Sequence, residues 1–312
     1  MANIAILDDY QGISQNMASW GRLPEPTQIS VFQDHLFDEH KIAERLQPFH
    51  IISAMRERTP FSRTLLEKLD ILQLLVTTGM RNASIDLEAC SDLGIVVCGT
   101  DGLGYPTAEL TWGLIISLAR NIHQENTYTR SGLWQQKIGV GLNGKVLGIL
   151  GLGKLGSQVA KIGVSFGMEV IAWSKNLTKQ KAATEGATLV PFKTLLENSD
   201  FLSIHTVLSE RTRGLIGEKE LRLMKPTAFL VNTSRGPIID ENALVSVLQE
   251  KGIAGAGLDV FDREPLSKEH PLLTLHNALI TPHIGYVTTE GYKLFFKQTV
   301  ECINEFLKGT PV

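Results

Sequence analysis

The stretch Lys145-Val-Leu-Gly-Ile-Leu-Gly-Leu-Gly-Lys-Leu-Gly156 decides the fold. A short apolar run flows directly into G-x-G-x-x-G at Gly151, Gly153 and Gly156. The next residues, Ser157-Gln-Val-Ala-Lys-Ile-Gly-Val, carry a helical pattern, and a second apolar run, Glu169-Val-Ile-Ala-Trp173, closes the unit. Strand, glycine turn, helix and parallel strand form a βαβ unit of the kind that binds a dinucleotide. Gly151 permits the tight turn, Gly153 lets the backbone approach a pyrophosphate, and Gly156 lets the helix pack on the strand. The first helical amides, at Lys154 and Leu155, face the anion.

Downstream, three apolar runs each end on a polar residue suited to catalysis. They are Phe229-Leu-Val-Asn-Thr-Ser-Arg235, Ala254-Gly-Ala-Gly-Leu-Asp259 and Ala278-Leu-Ile-Thr-Pro-His283. In an open parallel sheet the ligand sits beyond the carboxyl ends of the strands, so these endings predict one pocket holding an arginine, a carboxylate and a histidine. Upstream, Ile4-Ala-Ile-Leu, Ile29-Ser-Val-Phe, Ile51-Ile-Ser-Ala, Ile71 to Val76 and Ile95-Val-Val read as strands, with helical patterns near 38–47, 61–69 and 84–92. The alternation predicts a separate, smaller α/β domain before the glycine motif. A single long helix is expected from Thr107 to Arg130, and the amphipathic segment Thr288 to Leu307 is expected to pack back on the first domain. The fold class is therefore α/β with two doubly wound parallel sheets. A discontinuous flavodoxin-like domain (1–100 plus 286–312) flanks a Rossmann domain (101–285).

Composition narrows the function. The 312 residues are 43% apolar and 20% charged with a formal net charge of −3, which leaves no basic excess for a phosphate backbone and argues against nucleic acid as partner. No stretch reaches the roughly 20 apolar residues of a membrane span, and Met1-Ala-Asn-Ile has no charged leader, so the expectation is a cytoplasmic protein. Cys90, Cys98 and Cys302 stand at no metal-like or redox-motif spacing and predict neither a disulfide framework nor a metal site.

Together, Gly151-Leu-Gly-Lys-Leu-Gly156, Asn232-Thr-Ser-Arg-Gly236, Gly255-Ala-Gly-Leu-Asp-Val-Phe-Asp-Arg-Glu-Pro-Leu266 and Thr281-Pro-His-Ile-Gly285 make the chain resemble the D-isomer-specific 2-hydroxyacid dehydrogenases over essentially its full length. The resemblance implies an NAD(P)-dependent enzyme that exchanges hydride with a small 2-oxo acid in a cleft between substrate and cofactor domains, and a homodimer joined through the helix after Thr107. There Leu110, Trp112, Leu114, Ile115 and Leu118, with Trp134 further on, are apolar, a pattern that burial within the domain also explains. It places catalysis on Arg235, Glu264 and His283. Hydride addition to a carbonyl builds alkoxide character, which needs a proton donor and a cation. His283 is the donor, Glu264 beside it favours the imidazolium, and the planar fork of Arg235 suits the substrate's carboxylate and carbonyl oxygens. Glutamate at 264, rather than glutamine, separates the chain from the formate dehydrogenases.

By the same resemblance, Thr233, Asp259 and Gly285 line the nicotinamide end of the cofactor site, although Asp259 also suits a turn cap. The loop Thr78-Gly79-Met80 binds the substrate carboxylate through main-chain amides. One departure bears on cofactor choice. The second strand of the βαβ unit ends Trp173-Ser174-Lys175-Asn176 without the acidic residue usual for NAD, and a hydroxyl at Ser174 with a cation at Lys175 favours NADP modestly over NAD. A second is Val207, where many relatives carry proline. The alternative from another class is a dinucleotide-sensing, corepressor-like binding protein on the same fold.

Overall fold

The computed structural model describes residues 2–24 and 26–310. Apolar runs too short for helices and rich in β-branched residues become two all-parallel sheets. In the first, β1 (Ala2–Ile6), β2 (Thr27–Val31), β3 (Ile51–Ala54), β4 (Leu74–Thr77) and β5 (Val96–Gly99) take the order β2-β1-β3-β4-β5. In the second, β6 (Val146–Leu150), β7 (Glu169–Trp173), β8 (Thr188–Leu189), β9 (Phe201–Ile204), β10 (Phe229–Asn232), β11 (Gly255–Leu258) and β12 (Ala278–Ile280) take the order β12-β11-β10-β9-β6-β7-β8. These are the flavodoxin-like and Rossmann orders. The chain divides into two compact units, Met1–Leu103 with Val287–Val312, and Gly104–Tyr286.

Side chains that alternate along a strand feed opposite faces, and in the larger unit they enter two different cores. Leu147 and Ile149 of β6 and Val231 of β10 pack with Trp112, Leu114, Ile115, Leu118, Val159 and Ala160. Leu150 and Leu230 pack with Leu195, Leu221, Leu244, Val247 and Leu248 on the other side. Helices thus cover both faces. In the smaller unit one face is filled by Ala5, Ile52, Leu65 and Leu75. The helix Thr289–Leu307, started by the Thr288 hydroxyl accepting Gly291 N–H at 3.0 Å, packs against β4. It brings the buried ring of Phe296 to within 6.3 Å of Trp20.

Several expectations need correction. The helix expected over Thr107–Arg130 is two, Pro106–Ala119 and Ile122–Arg130, because Asn121 takes the left-handed φ of 54° and turns the chain between them. Of the two readings of the apolar stripe, burial within the domain holds for Trp112, Leu114, Ile115 and Leu118, which lie in the core of their own unit. Ile71 lies in a turn ahead of β4 and is exposed. The two-residue edge strand β8 carries no periodicity and went unpredicted. Among the described residues no helix is long and apolar enough to cross a membrane.

Candidate active site

The glycine turn follows β6 and opens the helix Lys154–Ser165. Gly151 has φ +101°, and its N–H donates to Trp173 O of β7 at 2.9 Å. A methyl group there would meet His205 C at 2.7 Å, so both conformation and space require glycine. At Gly156 a methyl would overlap Gly151 O and press on Ile149, which is close helix–strand packing. Gly153 is the opposite case: a methyl would meet nothing within 4 Å, and no side chain caps the helix that starts there. An exposed glycine over an uncapped helix start is a cradle with room for a diphosphate, so these residues fit a dinucleotide.

Around the cradle, the Lys154 side chain lies against Gly104. Ser174 accepts Leu152 N–H at 3.1 Å, tying the end of β7 to the glycine turn, and Lys175 beside it is exposed. The loop after β9 passes beneath Gly151. Its His205 has Nε2 2.8 Å from Ser203 Oγ, and burial pushes the imidazole down to about 4, so it is neutral at physiological pH. Val207 is well exposed.

Strands β10, β11 and β12 are neighbours and end side by side, so Arg235, Asp259 and His283 emerge at one sheet edge. An Asx turn shapes the first ending: Asn232 Oδ1 accepts Ser234 N–H and its Nδ2 donates to Arg235 O, each at 3.0 Å. The half-buried Arg235 is braced by Nη1 donating to Ser234 O at 2.7 Å. At Gly236 a methyl would overlap the Phe261 backbone, so glycine lets the arginine loop press directly on the loop that carries Glu264. Glu264 Oε1 accepts Phe261 N–H at 2.9 Å, and Oε2 lies 2.5 Å from His283 Nδ1. His283 has φ +53°, unusual for a residue with a Cβ, and its ring meets Tyr286 edge-on at 5.6 Å.

Asp259 holds that turn. Its Oδ1 accepts Thr281 Oγ1–H at 2.6 Å and Ile284 N–H at 2.8 Å, and Oδ2 accepts Gly285 N–H at 2.8 Å. Burial raises its carboxyl above the usual range, partly offset by these donors. The turn-capping role left open by the sequence is thus the visible one. Thr233 is buried, with Oγ1 2.8 Å from Thr111 Oγ1. Sequence reasoning missed Thr107, Thr111 and Tyr286, since none stands in a motif and their partners are remote.

Thr78, Gly79 and Met80 lie in the other unit, at the end of β4. Thr78 N–H donates to Ala54 O at 3.1 Å and Gly79 N–H donates to Thr100 Oγ1 at 2.9 Å, so two amides of the expected nest already have protein partners. Met80 is well exposed. Among the described residues no group of three or more His, Cys, Asp or Glu is placed to hold a metal ion.

Residues 112–285 match the family model described as D-isomer specific 2-hydroxyacid dehydrogenase, NAD binding domain. A glyoxylate reductase of Thermococcus litoralis is 40% identical over 257 residues, 79% of this chain and 77% of that protein. The crystal structure of a phosphoglycerate oxidoreductase from Vibrio cholerae superposes with a TM-score of 0.94 at 36% identity, covering 99% of this chain and 100% of that one. A D-lactate dehydrogenase from Aquifex aeolicus, solved with NAD and lactic acid, gives 0.78 at 26% identity, covering 99% and 96%.

Proposed function

The chain belongs to the D-isomer-specific 2-hydroxyacid dehydrogenase family, and from that premise we propose how its own residues carry hydride transfer between a nicotinamide dinucleotide and a small 2-oxo or 2-hydroxy acid. It is an NAD(P)-dependent oxidoreductase, which sets aside the corepressor-like alternative. The bound dinucleotide supplies or receives the hydride. The Gly151–Gly156 turn holds its diphosphate, and Thr233, Asp259 and Gly285 face its nicotinamide end.

The observation that carries the catalytic assignment is the His283–Glu264 pair. With Nδ1–H donated to Glu264, the ring keeps one orientation and leaves Nε2 to carry the mobile proton. In reduction Nε2–H protonates the carbonyl oxygen, and in oxidation Nε2 takes the hydroxyl proton back. The Glu264 carboxylate stabilises the imidazolium that each turnover requires. Arg235 faces the substrate's carboxylate and carbonyl oxygens with its guanidinium, holding the substrate and stabilising the developing alkoxide.

For the cofactor we favour NADP. Lys175 at the end of β7 is exposed, Ser174 stands beside it, and no carboxylate repels a 2′-phosphate there. We take glyoxylate and close analogues as substrates, in line with the name of the Thermococcus relative. The buried thiols of Cys90, Cys98 and Cys302 suit a reducing compartment, and we place the enzyme in the cytoplasm. We also read it as a homodimer, joined through the exposed apolar side chains of Ile122, Leu133, Trp134 and Ile138.

The test is oxidation of NADPH and NADH in parallel against glyoxylate, hydroxypyruvate, pyruvate and phenylpyruvate, with His283→Ala as control. Turnover that vanishes in the variant supports the assignment. Equal turnover in the variant removes His283 from the chemistry, and a preference for NADH removes the role given to Lys175.

A further inference from the structure

The helix Pro106–Ala119 packs against β10 and β11, and Thr107, Thr111, Leu114 and Leu118 recur on it at the spacing of one helical face. Leu114 and Leu118 press on Gly257 of β11, where an added methyl would meet them at 3.2 and 3.0 Å. Toward the strand ends the same stripe changes from aliphatic to hydroxyl. Thr111 is completely buried, and its Oγ1 donates to Thr107 O at 2.7 Å. That bond alone would be an ordinary way of satisfying a threonine inside a helix.

The second bond is not ordinary. Thr111 Oγ1 also lies 2.8 Å from Thr233 Oγ1, across 122 residues of sequence. A hydroxyl has one proton to give, and that of Thr111 is committed to Thr107 O, so Thr233 must be the donor. The chain therefore has a fixed direction, Thr233 to Thr111 to the Thr107 carbonyl. Meanwhile Thr107 Oγ1 donates to Gly285 O at 3.0 Å, and the N–H of the same glycine donates to Asp259 at 2.8 Å. One helical turn thus grips both the segment two residues before Arg235 and the segment two residues after His283.

We propose that Thr111 is a positioning residue for hydride transfer: its single hydroxyl fixes the end of β10 to the helix turn that also holds the 283–285 turn, and so sets the spacing of Arg235 and His283. This rests on the reading of those two residues as catalytic. A misplacement on the order of 1 Å at reacting groups costs about a hundredfold in rate, so a lost buried tether should act on turnover more than on ligand binding.

The test compares Thr111→Val and Thr111→Ser in the full chain. Valine keeps the shape and removes both bonds, whereas serine keeps the hydroxyl. The expected result is a kcat lowered about tenfold or more in the valine variant, in keeping with partial misplacement. The NADPH dissociation constant, read from the fluorescence of the bound dinucleotide, should stay within about twofold, and serine should restore kcat, because the hydroxyl rather than the volume is what matters. A folded valine variant with native kcat overturns the proposal, as does a serine variant as impaired as valine. Should Thr111→Val fail to fold, Thr107→Val, which cuts only the bond to Gly285 O, decides in its place: lowered kcat supports, native kcat overturns. His283→Ala is run beside them. If it turns over normally, the catalytic reading fails and the proposal with it; if it is inactive while Thr111→Val is native-like, only the positioning role falls.

Discussion

Acidification should loosen this protein in part through His205, and the size of that residue's effect can be worked out. Burial lowers the folded imidazole from 6.5 to about 4, whereas the unfolded chain returns it to its ordinary value. Between those two values the unfolded state binds the proton and the folded state resists it. The contribution to stability is therefore complete above about pH 6.5 and is lost as pH falls toward about 4. At about 1.4 kcal/mol per pH unit between 6.5 and about 4 the full loss is about 3.5 kcal/mol, and the partial solvent exposure of the residue trims this to about 2 kcal/mol. The assay is urea unfolding of the native chain and of His205→Gln at about pH 7 and about pH 4.5, reading the difference between them so that carboxylate titrations common to both cancel. Native stability should fall by about 2 kcal/mol more than that of the variant. Identical losses in the two chains would refute the reasoning. Because the His205 backbone lies directly under Gly151, dinucleotide binding should weaken over the same pH window in the native chain only.

Two further outcomes follow from the site. Glu264→Gln keeps an oxygen for Phe261 N–H but removes the charge behind His283; kcat should fall about a hundredfold, within the range for general acid–base groups, with dinucleotide affinity unchanged by fluorescence titration. Gly156→Ala would force the helix off β6, since its methyl overlaps Gly151 O. Dinucleotide affinity should drop at least about tenfold and unfolding free energy by about 1–3 kcal/mol, the ordinary cost of overpacking, measurable by titration and denaturant melts.

What could be read in advance was local. The βαβ unit at 145–173 and the three strand endings are legible because glycines, apolar runs and terminal polar residues sit within a dozen positions of one another, at spacings backbone geometry enforces. Pairing of Glu264 with His283 was inferable only through resemblance. Asn121 gives no warning that it will enter the left-handed region and split a helix, since asparagine does so only where tertiary packing asks for it. The face of Trp112, Leu114 and Leu118 looked unpartnered because its partners, Leu147, Val159 and Val231, are distant in the chain. Likewise nothing near Asp259 shows that both its oxygens are taken by residues 281–285, and nothing near Gly79 shows that its amide already has Thr100.

The helix Thr289–Leu307 belongs to the same compact unit as the first hundred residues. On a ribosome, that unit cannot close until the residues beyond 289 have emerged. The Gly104–Tyr286 unit, contiguous in sequence, emerges whole and can fold first, while the earlier-made β1–β5 sheet waits with the apolar face meant for Tyr292, Phe295 and Phe296 uncovered. Released chains truncated before residue 289 should accordingly hold a protease-resistant second unit and a first unit dependent on chaperones, the reverse of the usual order in which N-terminal domains mature first.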